Sequence, residues 1–173
     1  MHYDSPLGGM TMTANGTALT GLWFDEKKRY VRLPGPEAKE QTLPVFDDAR
    51  RWLDAYFSGK APDFVPPLRM ETTDFRREVW QLLLAIPYGK TVTYGALAAA
   101  MAHQRGVARM SAQAVGGAVG HNCFTVIVPC HRVVGADGSL TGYAGGLERK
   151  IRLLELEGVD TSAFTVPAKG TAL

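Results

Sequence analysis

The sequence predicts two small domains in one chain: an α/β domain built on a short antiparallel sheet with one helix, then a mostly α-helical domain containing a helix-turn-helix. Three observations carry this. Short alternating apolar runs around an Asn15-Gly16 turn open the chain. Pro62, Pro66 and Pro67 then interrupt every periodic pattern. Beyond them, three apolar patterns of helical period lead into a β-branched run that stops at Pro129. A chain of 173 residues with 46% hydrophobic and 21% charged side chains is long and apolar enough to bury a core, so neither disorder nor a fibrous repeat fits it.

In order, Ser5-Pro6-Leu7-Gly8-Gly9 reads as a turn, and the alternation of Met10-Thr11-Met12-Thr13-Ala14 as a half-buried strand. Asn15-Gly16 is a two-residue hairpin signal because both central positions favour positive φ. Leu19-Thr20-Gly21-Leu22-Trp23-Phe24 is the next strand. Residues 25–41 are charged, contain Pro34-Gly35-Pro36 and read as a loop. Val45, Ala49, Trp52 and Tyr56 then recur at helical spacing, with Gly59 as a stop, so an amphipathic helix is expected on the small sheet. The boundaries predicted are 1–68 for the first domain and its linker, 69–160 for the second, and 161–173 for a loose tail.

Thr73 or Asp74 caps a helix expected over 75–85, with Phe75, Val79, Leu82, Leu83 and Ile86 buried. Pro87-Tyr88-Gly89 ends it and Thr91-Val92-Thr93 is β-prone. A second helix starts at Tyr94, and Ser111 caps a third over 112–119. Two short helices on a tight connection outline a helix-turn-helix. The third helix carries almost only small side chains, which allow close approach either of a neighbouring helix or of a nucleic-acid groove.

Charge distribution bears on that choice. No acidic residue stands between Glu78 and Asp137, a span holding Lys90, Arg105, Arg109, Arg132, His103, His121 and His131. Such a segment suits a phosphate-facing surface, or is simply core. No window is apolar enough to span a membrane, and the N-terminus lacks a signal-peptide pattern, so a cytoplasmic protein with reduced cysteines is expected. No regulatory domain is expected ahead of the first strand.

The chemistry concentrates at Val126-Ile127-Val128-Pro129-Cys130-His131-Arg132-Val133-Val134. Read as a strand over 124–128 broken at Pro129, this run puts Cys130 and His131 at a strand end, both turned into one cavity. A histidine that takes the thiol proton, oriented by a carboxylate, would make Cys130 a nucleophile. Glu148, Glu155 and Glu157, on the expected helix Leu147–Leu156, are all candidates for that carboxylate. An inert core thiol is the plain alternative. A disulfide to Cys123 is disfavoured, because seven extended residues span about 23 Å. A zinc site from His121, Cys123, Cys130 and His131 fits no common spacing, and no metal is expected. The glycines of Gly142-Tyr143-Ala144-Gly145-Gly146 offer backbone N–H groups beside the nucleophile, or only a turn.

Pro129-Cys130-His131-Arg132-Val133, followed by Gly142-Tyr143-Ala144-Gly145-Gly146-Leu147, Leu153-Leu154 and Glu157-Gly158, resembles the O6-alkylguanine-DNA alkyltransferases. The likeness extends back through Asp74-Phe75, Val79-Trp80, Ile86-Pro87-Tyr88-Gly89, Thr93-Tyr94, Ala114-Val115-Gly116 and Asn122, and to Asp4-Ser5-Pro6-Leu7-Gly8. The resemblance implies an RNase H-like first domain and a winged-helix-like second one. It implies a helix-turn-helix docked in the minor groove of double-stranded DNA, a flipped guanine, and permanent transfer of its O6-alkyl group to Cys130, once per molecule. It implies His131 as base through a water, Glu157 orienting it, Asn122 supporting the turn and Tyr94 donating to guanine N3. Substrate contacts are expected from Val133, Tyr143, Ala144, Gly145 and Cys123, with the Ala144 N–H on O6 and the carbonyls of Cys130 and Val133 on the exocyclic amine. DNA contacts are expected from Arg109, Ser111, Gln113, Ala114, Gly117 and Arg132. It implies no cofactor, a monomer, and O6-alkylguanine, with O4-alkylthymine second, as the alkyl donor.

Two departures from the family pattern stand out. Gln113 occupies the recognition-helix position where the family commonly has arginine, with Arg109 one turn earlier. Cys123 stands where the family usually has proline beside the alkyl pocket. The alternatives weighed are a non-catalytic lesion-binding protein, which commonly lacks the cysteine, and a cysteine hydrolase using Cys130, His131 and Glu157.

Overall fold

The computed structural model describes residues 1–26, 35 and 38–166; most of the expected loop over 25–41, Pro34 and Pro36 included, lies outside the described residues. The chain parts into two compact units, Met1–Glu71 with Cys123–Thr125, and Thr72–Asn122 with the chain from Val126 onward. The proline linker therefore belongs to the first unit, and a short later segment returns to it.

In the first unit, β1 (His2–Ser5), β2 (Gly8–Ala14) and β3 (Leu19–Phe24) form an antiparallel meander in that order. The β2–β3 connection is longer than the Asn-Gly signal predicts. Ala14 pairs with Leu19, and the Asn15 side chain accepts the Ala18 N–H at 3.1 Å, closing a four-residue turn with Gly16 at φ +106°. Helix α1 (Pro44–Phe57) starts with proline at its first turn and buries Val45, Phe46, Ala49, Trp52, Leu53 and Tyr56. It stops at Gly59, φ +81°, whose N–H and that of Lys60 return to the Tyr56 and Ala55 carbonyls. The free edge of β3 is covered twice: Leu19 bridges Leu68, and Leu22 bridges Phe124.

In the second unit, α2 (Asp74–Leu84), α3 (Tyr94–Gln104) and α4 (Ala112–Gly120) are each capped by the hydroxyl that precedes them, Thr73, Thr93 and Ser111. The Trp80 indole N–H donates to the Ala118 carbonyl at 2.9 Å, locking α2 against α4. The small side chains of α4 divide by face. Val115, Gly116, Ala118, Val119 and Gly120 are buried, while Ala112, Gln113 and Ala114 are exposed. A Cβ on Gly116 would lie 3.6 Å from the Tyr94 ring, so this buried face of α4 packs on the start of α3. The packing reading of the small-residue helix holds on its buried face, and its first turn stays open to solvent.

β4 (Val92–Thr93) and β5 (Val133–Val134) pair in parallel, Val92 with Val133 and Thr93 with Val134. That pair ties the start of α3 to the chain just beyond Cys130. Helix α5 (Leu147–Leu156) packs Leu154 against Val134 and Leu140, with Leu147, Ile151, Val159 and Phe164 around them. The expected tail is anchored over its described part, since Leu140 donates to the Thr165 carbonyl at 2.9 Å; residues 167–173 lie outside the described residues.

The strand expected over 124–128 does not form. Only Phe124 makes a bridge, and the chain turns through Val126 at φ +73°. A β-branched residue in that region is strained. The turn is held from outside: the Asn122 Nδ2 donates to the Val128 carbonyl at 2.8 Å, and Val126 is fully buried. The extended-chain argument against a disulfide falls with the strand, yet both cysteines are free.

Candidate active site

Pro129 at φ −80°, ψ 62° makes an inverse γ-turn, with the Cys130 N–H on the Val128 carbonyl at 2.8 Å. Cys130–Arg132 then forms one 3₁₀ turn. The break at proline is as expected, but consecutive side chains on a 3₁₀ turn diverge, and Cys130 and His131 take different partners. The Cys130 Sγ accepts from Asn122 Nδ2 at 3.1 Å. One amide group thus holds both the loop and the sulfur. The thiol is 5% exposed, and burial raises its pKa against the opposing effects of the Asn122 hydrogen bond and the Lys150 charge.

His131 is fully buried, with Nε2 2.6 Å from Glu157 Oε1. Glu157 is the C-cap of α5, and its four acceptor positions are all used. Oε1 meets His131 and the Arg132 Nη2 at 3.0 Å; Oε2 meets the Arg132 Nε at 2.8 Å and the Gly89 N–H at 3.0 Å. Burial alone would raise the Glu157 pKa, but the hydrogen bond and charge of His131 and then those of Arg132 hold it down to about 2. Burial lowers the pKa of His131 despite Glu157 beside it. Arg132 is the permanent cation of the cluster, so Glu157 stays ionised whether or not His131 carries a second proton. Of the three candidate carboxylates the fold selects Glu157; Glu148 and Glu155 are exposed.

Arg132 is not at a DNA surface. It is 7% exposed, bidentate to Glu157, donates to the Ile86 carbonyl at 2.6 Å and lies over the Tyr88 ring at 5.7 Å. A guanidinium committed on every side braces the cluster from within. Ile86, Tyr88 and Gly89 form its other wall, with the Tyr88 hydroxyl on the Leu156 carbonyl at 3.0 Å.

Tyr94 opens α3 with its hydroxyl on the Thr141 carbonyl at 3.3 Å, and burial, then the Cys130 charge, pushes its pKa up to about 12. Tyr143 is buried, its ring edge-on to His131 at 6.3 Å. Gly145 lies flat against that ring, where any Cβ would collide, and Ala144 between them is half-buried. Val133 is fully buried at the head of β5. Cys123, expected beside the alkyl pocket, lies in the short segment grouped with the first unit: its carbonyl accepts the Leu22 N–H at 2.8 Å and its Sγ lies 3.9 Å from the Thr20 carbonyl oxygen. Burial pushes its thiol up to about 11.

The residues expected on DNA share one helix end. Gln113 and Ala114 are exposed on the first turn of α4, and Gly117 follows one turn on at helical spacing. Ser111 caps that turn by accepting the Ala114 N–H at 3.3 Å, and Arg109 is exposed just before it. Among the described residues no group of three or more His, Cys, Asp or Glu could hold a metal, and no helix is long and apolar enough to cross a membrane.

The chain is similar to known proteins along most of its length. Residues 2–70 match the 6-O-methylguanine DNA methyltransferase ribonuclease-like domain, and residues 74–159 match the DNA-binding domain of the same methyltransferases. The chain belongs to the 6-O-methylguanine DNA methyltransferase family. The methylated-DNA–protein-cysteine methyltransferase of Mycobacterium tuberculosis is 45% identical over 164 residues, covering 91% of this chain and 92% of the relative. That of Haemophilus influenzae is 42% identical over 158 residues, covering 90% and 84%. The crystal structure of Mycobacterium tuberculosis OGT in complex with DNA superposes with a TM-score of 0.77 at 43% identity, covering 91% of each chain. The ribonuclease-like and DNA-binding halves expected from the sequence are those of this family.

Sequence reasoning missed two members of the site. Lys150 reads as one of several cations on α5 but is fully buried. Its position among Ile151, Leu153 and Leu154 on a helix with a wide apolar stripe is the one signal available. Arg132 gave none, because a cation in an acid-free segment reads as surface.

Proposed function

We infer that the protein repairs DNA by direct reversal, moving the alkyl group of O6-alkylguanine onto Cys130 in a single turnover. What carries this reading is Cys130, held by Asn122 beside the buried His131–Glu157–Arg132 cluster, in a chain of this family. The Cys130 proton passes through a water to His131. Since Glu157 holds Nε2, Nδ1 receives it. The thiolate attacks the alkyl carbon; the S–C bond forms as the C–O6 bond breaks, and its electron pair passes to the purine. Tyr94 turns its hydroxyl from the Thr141 carbonyl to purine N3, and the thiol proton ends on the restored guanine. The thioether is permanent and no cofactor takes part. Asn122 loses its sulfur partner when Cys130 is alkylated.

We further read the protein as a cytoplasmic monomer that binds double-stranded DNA through α3 and α4 in the minor groove and flips the lesion into the Cys130 site. Ser111, Gln113, Ala114 and Gly117 face the DNA with Arg109. Ala144, Gly145, Tyr143 and Val133 line the base pocket. O4-alkylthymine is the secondary substrate.

The test is an intact mass after incubation with a duplex containing O6-methylguanine. A stable gain of one methyl group, lost in Cys130→Ala, is expected. DNA binding without a gain in mass would mark a lesion-binding protein instead.

A further inference from the structure

The stretch after α5, expected as a loose tail, is built as a strap. A 3₁₀ turn over Thr161–Ala163 starts with the Asp160 carboxylate accepting the Ser162 N–H at 3.0 Å, and the Thr161 hydroxyl ties it back to Glu155 on α5 at 3.3 Å. Phe164 leaves the turn extended, at φ −96° and ψ 145°, and packs against Val134, Leu140 and Leu154. Thr165 then pairs in parallel with Ser139. Its N–H donates to the Gly138 carbonyl at 3.1 Å, and its carbonyl accepts the Leu140 N–H at 2.9 Å. The Thr165 side chain is exposed, so the pairing is made by backbone. Bonds within the turn over 135–139 close it on itself: the Gly135 N–H donates to the Ser139 carbonyl at 2.8 Å and the Ser139 N–H to the Asp137 carboxylate at 3.0 Å. The two bonds to Thr165 fasten that turn to another element. One residue past Leu140, the Thr141 carbonyl accepts the Tyr94 hydroxyl at 3.3 Å and the Lys150 ammonium at 2.8 Å.

We propose that Thr165, seated by Phe164, is a positioning residue for alkyl transfer: its backbone fixes Leu140 and so places the Thr141 carbonyl from which the Tyr94 hydroxyl turns to the purine. This deepens the alkyl-transfer reading and rests on it. Thr165 touches neither the base nor Cys130 and acts through Thr141 and Tyr94. The peptide held by the strap is next to the one that holds Tyr94, so a slip at Leu140 moves the resting place of that hydroxyl. A misplacement of about 1 Å in a group that meets the substrate costs up to about 100-fold in rate. Because the strap acts within the site and away from α4, it bears on the chemical step and leaves duplex binding alone.

The test uses the full chain as wild type, Thr165→Pro, Thr165→Ala and Phe164→Ala, each also combined with Tyr94→Phe and each checked by thermal melting. Thr165→Pro removes the N–H that meets Gly138, and the extended Phe164 already has the conformation that a following proline favours. Single-turnover methyl transfer is followed against the concentration of an O6-methylguanine duplex, well below the melting temperatures. In Thr165→Pro the limiting rate falls about fivefold or more, while the half-saturating duplex concentration stays within about twofold. Thr165→Ala keeps both backbone bonds and overlays the wild type. On the Tyr94→Phe background Thr165→Pro slows transfer by less than about a further twofold, because the group it positions is already gone. A strap that serves stability alone lowers the melting temperature and leaves the limiting rate in place, or slows both backgrounds equally; either result overturns the proposal. If Thr165→Pro does not fold, Phe164→Ala decides by the same two comparisons. If the wild type gains no methyl group, the alkyl-transfer reading fails, and hydrogen exchange of the 139–146 backbone decides whether the strap holds the loop: faster exchange in Thr165→Pro supports that hold, and unchanged exchange overturns it.

Discussion

The 3₁₀ turn at Cys130 and the first turn of α4 stand in the same unit and follow opposite rules. Around Cys130 the polar groups are buried and held: Asn122 on Val128 and the sulfur, Glu157 on His131, Arg132 and Gly89, Lys150 on two carbonyls. On α4, Gln113 is exposed and only the Ser111 cap is a local tie. Chemistry needs groups held in place before the substrate arrives. The groove binding proposed for α4 would need small, solvated side chains that a backbone of phosphates can approach. One region stores organisation in long-range contacts; the other keeps its surface open.

The comparison predicts where mutations register. Glu157→Gln is the largest expected effect short of removing Cys130. It leaves Arg132 buried without its anion, so urea unfolding should show a loss of about 3–5 kcal/mol, and methyl transfer should collapse with it. The pH dependence has a defined sign. The folded pKa of Glu157 is depressed to about 2, so its contribution is full above the ordinary carboxylate value and fades as the pH falls toward about 2. Glu157→Gln should therefore flatten the acid side of the stability curve; an unchanged acid limb would place the sensitivity elsewhere.

Gly89→Ala comes next. At φ +72° its Cβ would sit 2.8 Å from the Glu157 carbonyl oxygen, a backbone atom with little room to move. A destabilisation of about 1–3 kcal/mol is expected in the same urea assay, although Gly89 lies more than 40 residues from Cys130 in the sequence. An alanine tolerated there would show that the cluster is softer than its hydrogen bonds imply.

On the α4 side the effects are small and of another kind. Ser111→Ala removes one cap and should cost about 0.5–1 kcal/mol of stability. Gln113→Arg should leave the melting temperature in place, tighten DNA binding at matched salt and steepen the log affinity–log salt slope by about 0.9. Unchanged affinity would remove Gln113 from the interface. A large stability change from either variant would break the distinction between the two regions.

Much of this was legible in the chain. Hydroxyls ahead of apolar periodic runs marked α2 and α4, and spacing alone marked α3, because capping and helical spacing are local properties. Cys130 and His131 were legible from their place beside Pro129. Less legible was anything carried by a partner distant in sequence. The run from Phe124 to Val128 has the composition of a strand and lacks a neighbour to pair with along its length. Asn122 and the surrounding core curl it instead and hold Val126 at an unfavourable φ. Arg132 was expected on DNA and Lys150 drew no reading at all, since sequence displays charge and not burial.

By itself, then, the sequence determined the element order, the helix starts, the proline break and the identity of the nucleophile, all set by interactions within a few residues. Only the tertiary structure showed that Glu157, which the resemblance alone had singled out, meets His131, that Arg132 faces inward, and that Lys150 stands buried on the Val133 and Thr141 carbonyls. Those outcomes depend on hydrogen bonds and desolvation between segments up to 68 residues apart, and such terms exist only once the chain has closed on itself. The nucleophile was readable as a residue type; the environment that makes it one was not.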